Sequence, residues 1–132
     1  LDDHNPPKWV TFACRFTVIT VERALGNEPS DVSAQKVGYD IASYDPRTGH
    51  LRFIEVKGRI DGADSVMLTR QEVITSLHEP DKFILAIVQI DRGFACEPRY
   101  VRGALSDHEP TFEQTAIQFN LKRLLERAEA PQ

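Results

Sequence analysis

The chain has 132 residues, of which 41% are hydrophobic and 27% are charged, and its formal net charge is −4. This length and balance predict a folded domain with a hydrophobic core and exclude a disordered chain. A negative net charge argues against a broad basic surface that coats DNA, but it is compatible with an enzyme that gathers carboxylates around a cation.

The sequence contains neither a run of about 18 apolar residues that could span a membrane nor a secretion signal, so we expect a cytoplasmic protein with no membrane partner. Cys14 and Cys96 are far apart and outside any Cys-x-x-Cys pair, which predicts two buried thiols rather than a disulfide or a zinc site. None of the histidines has the spacing of metal ligands, so we expect none to bind a metal: His4, His50, His78 and His108.

We divide the chain into a polar lead-in, residues 1–8, and a single domain over residues 9–132. Because the chain begins with Leu1 rather than methionine, we expect a piece excised from a longer protein, and processing of the chain would explain this start equally well. Within the lead-in, Asn5 followed by Pro6 and Pro7 predicts a helix cap and first turn.

The stretch WVTFACRFTVITVERAL has strand-forming residues, but its length and the Gly26-Asn27 stop favour a helix. On a helical wheel nearly every direction is apolar except one polar stripe, formed by Thr11, Arg15 and Glu22. Such a stripe either meets solvent, with Arg15 and Glu22 as a weak surface pair, or lines a site.

Two strand-like runs flank the turn signal DPRTG, which predicts a hairpin of residues 37–44 against 51–58. In LTRQE, Thr69 followed by Glu72 three residues later is a capping-box pattern that opens a short helix. KFILAIVQI reads as a central strand covered on both faces, and RYVRG as an edge segment. Asn120 is placed to cap a last helix over LKRLLERAEA.

The segment FIEVKGR contains the residues that suggest chemistry. Alternation along the strand puts Phe53, Glu55 and Lys57 on one face. Asp40 from the neighbouring strand would join Glu55, and two converging carboxylates form an oxygen-rich site suited to Mg²⁺. Lys57 would then stabilise negative charge on a phosphoryl group or orient a water, and Glu22 would add a ligand from the helix.

Each of these residues also has a plain structural interpretation. Glu-x-Lys is common on half-solvated strands, and Thr69 with Glu72 is most simply a helix cap. Arginines such as Arg59 and Arg70 are usually just solvated, although both are candidates for phosphate contacts.

Glu22, VSAQKVGYDIAS, FIEVKGR, LTRQE and FILAIVQID together resemble the DUF3883 family, also called the NO VEIN C-terminal domain, of the PD-(D/E)XK nuclease-like superfamily. The likeness runs from about Val10 to Ala128. The tail TFEQTAIQFNLKRLLERA is similar to the ending seen when this domain follows a helicase in bacterial proteins. One departure is Gln71, where we expect the family to have asparagine.

The resemblance implies an α/β, restriction-endonuclease-like (PD-(D/E)XK) fold, a central mixed β-sheet flanked by helices. It implies Asp40, Glu55 and Lys57 as the catalytic triad. Mg²⁺ or Mn²⁺ would be the cofactor, with Asp40, Glu55 and Glu22 as ligands. Candidate substrate-binding residues are Arg59, Thr69, Arg70 and Gln71.

Two functions follow as hypotheses. The first is a metal-dependent DNA endonuclease domain, joined to a helicase or ATPase domain in the same polypeptide and acting in DNA processing or anti-phage defence. The alternative is a non-catalytic module with a vestigial nuclease fold that binds nucleic acid or a protein. A homodimer remains open for either hypothesis, since fold alone does not settle function.

Overall fold

The computed structural model describes residues 6–132, which form a mixed α/β structure around a central sheet. The helices are α1 (Lys8–Ala24), α2 (Arg70–His78) and α3 (Leu121–Glu126), and a 3₁₀ turn spans Ser33–Gln35. The strands are β1 (Glu28–Asp31), β2 (Ile41–Tyr44), β3 (Leu51–Ile60), β4 (Ser65–Thr69), β5 (Phe83–Asp91), β6 (Phe94–Ala95), β7 (Arg99–Arg102) and β8 (Ala116–Asn120). None of the helices within residues 6–132 is long and apolar enough to cross a membrane.

The central sheet has the order β1, β2, β3, β5, and both β6 and β7 pair with β5 on its other side. β3 and β5 run parallel, whereas the other pairs in the sheet are antiparallel. A parallel pair needs a long crossover, and β4 with α2 supplies it between β3 and β5. The predicted α/β class with a mixed sheet flanked by helices is therefore confirmed.

Each face of the sheet has its own apolar core. α1 covers one face, where Cys14 and Val18 pack against Ile54 and Val56 of β3. α2, α3 and a small β4–β8 sheet cover the other face. The second core is built from Val66, Leu68, Val73, Phe83, Leu85, Ile87, Val101, Leu105, Leu121 and Leu124. Because β5 lies between the two cores, its side chains are apolar on both faces, as predicted for a central strand.

α1 is a helix, as predicted, but the predicted arrangement of its faces was wrong. The buried stripe is Cys14, Val18 and Glu22, at helical spacing, and it faces the sheet. The exposed stripe is aromatic, with Trp9 71%, Phe12 60% and Phe16 59% exposed. The sequence of a helix that is apolar in most directions does not show which side is buried. Packing against the sheet determines the buried side of α1.

The start of α1 also differs from the prediction. The helix begins at Lys8 with Pro7 in the N-cap position, and no side chain caps it among the described residues. The predicted cap, Asn5, lies outside those residues.

The predicted hairpin is present with shifted boundaries. Its first strand covers only Ile41–Tyr44, and its second extends to Ile60. Residues 37–40 form a loop because Lys36 and Gly38 have φ angles of 52° and 94°, outside the strand region. A Cβ atom on Gly38 would collide with the Thr75 hydroxyl of α2, so only glycine lets this loop lie against the helix.

The predicted caps of α2 and α3 are confirmed. The Thr69 hydroxyl accepts a hydrogen bond from the Glu72 backbone N–H at 3.1 Å, and the Glu72 carboxylate accepts one from the Thr69 backbone N–H at 2.9 Å. The Asn120 side chain accepts a hydrogen bond from the Arg123 backbone N–H at 2.9 Å.

The β4–β8 pair and β1 were not predicted, and Cys96 is exposed rather than buried.

Gly58 allows α1 to approach β3 closely. A Cβ atom at Gly58 would lie 2.8 Å from Cys14 Sγ, so we expect Gly58→Ala to lower the free energy of unfolding by about 1–3 kcal/mol through overpacking. Cys14→Ala should make room, and the double variant should be more stable than the sum of the two single effects predicts. Urea denaturation of the four proteins tests this. Strict additivity of the two substitutions would contradict the close packing.

Candidate functional site

Asp40 and Glu55 lie on the same side of the central sheet. Ile41 is opposite Ile54 and Ala42 is opposite Phe53, so Asp40, one residue before β2, falls on the Phe53 and Glu55 side. The Asp40 backbone N–H donates to the Ile54 carbonyl at 2.9 Å, and its carboxylate accepts a hydrogen bond from the Val56 N–H at 3.0 Å. Two backbone contacts to β3 thus hold Asp40 in place.

Both carboxyl groups line a cavity of about 380 Å³. The rest of its wall comes from the loop before β2 and from the first turn of α2: Ser33, Lys36, Gly38, Tyr39, Thr69, Gln71 and Glu72. Glu55 is only 3% exposed, so its carboxyl group meets solvent mainly through this cavity.

Lys57 lies between Glu55 of β3 and Glu72 of α2, and together with Asp40 these residues form a charged cluster. Lys57 Nζ lies 3.3 Å from Glu55 Oε2 and 3.1 Å from Glu72 Oε1. The Lys57 side chain is 24% exposed. The structure therefore brings together Asp40 and Glu55 in one cavity and places the Lys57 ammonium against Glu55.

Glu72 is the residue of this cluster that sequence reasoning missed. The capping-box pattern correctly predicted that Glu72 pairs with Thr69. This local role already accounts for a glutamate at this position, so nothing in the sequence pointed to a second contact. The same Oε1 atom that accepts the Thr69 N–H also receives Lys57 Nζ. The contact depends on β3 lying beside the start of α2, which no local pattern reveals.

The electrostatics of the cluster follow from burial and crowding. Burial raises the pKa of Asp40, although the Val56 N–H and Lys57 oppose the shift. Burial, together with the nearby Glu72 carboxylate, raises the pKa of Glu55 well above its ordinary range. Burial disfavours the charge on Lys57, but Glu55 and Glu72 outweigh burial and raise its pKa.

These shifts predict how stability depends on pH in the absence of divalent ions. Between the ordinary pKa of a glutamate, 4.5, and the raised pKa of Glu55, the folded state keeps a proton that the unfolded chain releases. Stability contributed by protonated Glu55 is therefore full below pH 4.5 and is lost as the pH rises through the raised pKa.

In the Glu55→Gln variant the side chain is neutral at every pH, so stability is not lost through this group as pH rises. We therefore expect the free energy of unfolding of the variant to increase relative to that of the wild type above pH 4.5, by up to about 1.4 kcal/mol per pH unit. Urea denaturation in EDTA across this range is the measurement. Glu79→Gln, an exposed glutamate, is the control and should run parallel to the wild type. If the difference in free energy of unfolding between Glu55→Gln and the wild type stays constant across this pH range, the pKa of Glu55 is not raised.

Glu22 is not part of this cavity, which corrects its predicted position. It lies on α1, on the opposite face of the sheet, and is fully buried. Its carboxylate accepts hydrogen bonds from Asn27 at 3.0 Å, Arg52 at 3.0 Å and the Tyr100 hydroxyl at 2.8 Å. Arg15, its suggested surface partner, instead pairs with Asp31 at 3.3 Å. Glu22 therefore ties α1 to the sheet.

The four candidate substrate-binding residues occupy different environments. Thr69 and Gln71 line the cavity. Arg70 sits beside them, with its Nε donating to the Thr111 carbonyl at 3.3 Å and its guanidinium over the Phe112 ring. Arg59 is on the Glu55 side of β3 but is only 5% exposed.

Asp40 and Glu55 suit a hard cation that keeps most of its waters. Mg²⁺ commonly binds through one or two carboxylates and retains water ligands, and the cavity of about 380 Å³ that both groups line has room for those waters. Among residues 6–132, no group of three or more His, Cys, Asp or Glu side chains could form a fuller cage. His50, His78 and His108 make other contacts, and His4 lies outside the described part of the chain.

A mixed sheet flanked by helices, with the carboxylates of Asp40, Glu55 and Glu72 lining one cavity and Lys57 against two of them, defines an α/β domain with an acidic site that has a lysine beside it. The family model described as Protein NO VEIN, C-terminal, matches residues 12–101, and the chain belongs to this family. The matched region contains Asp40, Glu55, Lys57 and Glu72. No curated protein matches the chain.

Proposed function

We propose that this chain is a metal-dependent DNA endonuclease domain with a restriction-endonuclease-like (PD-(D/E)XK) fold. Mg²⁺ or Mn²⁺ is its cofactor, and it hydrolyses phosphodiester bonds in DNA processing or anti-phage defence. The observation that supports this most directly is the meeting of Asp40 and Glu55 in one cavity with Lys57 against Glu55. A binding module has no need for this combination of charges in a largely buried position.

Each residue of the site has a proposed role that follows from its position. Asp40 and Glu55 would hold the cation, and the Val56 N–H fixes the Asp40 carboxylate in advance. The cation would neutralise charge on the phosphate and lower the pKa of a water. Lys57 stabilises the negative charge that grows on the phosphoryl oxygens during attack. In the overall reaction, water oxygen bonds to phosphorus, the bond from phosphorus to a sugar oxygen breaks, and that oxygen gains a proton.

The substrate would enter where Thr69 and Gln71 line the cavity, with Arg70 beside them. Because the net charge is −4, few phosphate contacts are available from this chain. We therefore propose that a helicase or ATPase domain in the same polypeptide delivers the DNA and supplies most of the backbone contacts.

Plasmid nicking with Mg²⁺ or Mn²⁺, and with EDTA as the control, tests the activity. We expect weak cutting by the chain alone and stronger cutting when it is joined to its natural partner domain, because phosphate contacts bring the substrate in. If the joined protein cuts no DNA with either ion, the endonuclease proposal is wrong.

The second candidate is a non-catalytic interaction module, and the exposed aromatic stripe of α1 favours it. Trp9, Phe12 and Phe16 are all more than half exposed on one side of the helix. Contiguous exposed apolar surface often marks a protein contact, whether with a partner domain or with a second copy of the chain. Ser substitutions of Phe12 and Phe16 should weaken such a contact, as measured by sedimentation, and should leave nicking unchanged.

A further inference from the structure

We propose that Glu72 is a positioning residue that holds the Lys57 ammonium in place at the cavity. The inference extends the endonuclease proposal, on which its consequence for cleavage depends. Glu72 belongs to the first turn of α2, so it links the start of that helix to the charge on β3.

The geometry shows that Glu72 is itself fixed. Its Oε1 accepts the Thr69 backbone N–H at 2.9 Å, within a complete capping box. The first turn of a helix also favours a negative charge. Lys57 Nζ lies 3.1 Å from the same oxygen, so a carboxylate anchored to the backbone receives the end of a flexible side chain.

The need for a second anchor comes from the cation. Lys57 also contacts Glu55 at 3.3 Å. If Glu55 held a doubly charged ion, its negative charge would be offset and the ion would repel the ammonium group. Glu72 would then be the carboxylate that keeps Lys57 beside the phosphate rather than in solvent.

Glu72→Gln separates this role from helix capping. Glutamine can also close a capping box, so the cap should persist, and the melting temperature should fall only by the contribution of the charge at the helix start. The loss of the charged anchor should lower kcat about 10- to 100-fold, in the range seen when supporting hydrogen-bond partners are removed. KM for DNA should not change, because Glu72 does not hold the substrate.

Glu79→Gln is the matched control, since Glu79 caps the other end of α2 and pairs with Lys82 at 3.8 Å in an exposed position. It should leave kcat, KM and the melting temperature unchanged. A rise in KM for Glu72→Gln, or an unchanged kcat, would overturn the positioning role.

A measurement without DNA keeps the inference separate from the proposed function. In ¹⁵N NMR spectra of lysine ammonium groups with Mg²⁺ present, Lys57 should give a signal protected from exchange in the wild type. Glu72→Gln should lose that signal and Glu79→Gln should keep it, with Lys57→Arg providing the assignment. A signal that survives in Glu72→Gln would overturn the inference. A wild type that shows the signal but cuts no DNA would remove only the endonuclease proposal.

Discussion

Asp40→Asn is expected to abolish both Mn²⁺ binding and DNA cleavage while leaving the fold intact. An amide oxygen can still accept the Val56 N–H, which lies 3.0 Å from the native carboxylate, so the loop before β2 should keep its place. A neutral amide is, however, a poor ligand for a hard divalent cation, and Glu55 alone would remain as a charged ligand.

Calorimetric titration and thermal denaturation with Mn²⁺ measure the loss. An ion that binds only the folded state adds about 2.7 kcal/mol of stability at a hundredfold excess over Kd, and Asp40→Asn should lose this gain. Asp61→Asn makes the same chemical change at an exposed position just after β3 and should behave as the wild type. If Asp40→Asn retains the full stabilisation by Mn²⁺, the cation is held elsewhere and the site must be reassigned.

If the proposed mechanism holds, Lys57→Ala should reduce cleavage about a hundred- to a thousandfold, because it would remove the cation that stabilises the developing charge. It should also lower the free energy of unfolding by about 3 kcal/mol at neutral pH, the cost of breaking a largely buried ion pair. The physical reason is that Glu55 and Glu72, which both contact Lys57 Nζ, would face each other without a counter-charge.

The double variant Lys57→Ala with Glu72→Gln separates the two effects. Removing the Glu72 charge relieves the repulsion, so stability should return toward that of the wild type. Cleavage should stay low, since the cation at the phosphate is still missing. Recovery of cleavage together with stability would mean that Lys57 acts only on the fold.

Much of the fold was predictable because its signals are local. The capping patterns at Thr69 and Asn120 predicted where α2 and α3 begin. A continuous apolar run predicted β5 as the central strand, and the DPRTG turn predicted the β2–β3 hairpin. The β4–β8 pair escaped prediction because its strands are far apart in sequence, and short alternating runs such as SVMLT and AIQFN do not show which segment they pair with.

For the site, the sequence by itself determined that Asp40 and Glu55 would share a side of the sheet, because side chains alternate along a paired hairpin. Only the tertiary structure decided which polar groups of the helices would join them. Glu22 and Glu72 are both acids on helices that pack against the central sheet. α1 packs on the Ile54 side of β3 and buries Glu22 against Arg52 and Tyr100, whereas α2 begins on the Glu55 side and brings Glu72 to Lys57. Helical periodicity fixes which residues share a stripe, but the side of the sheet that a helix covers depends on packing between distant segments.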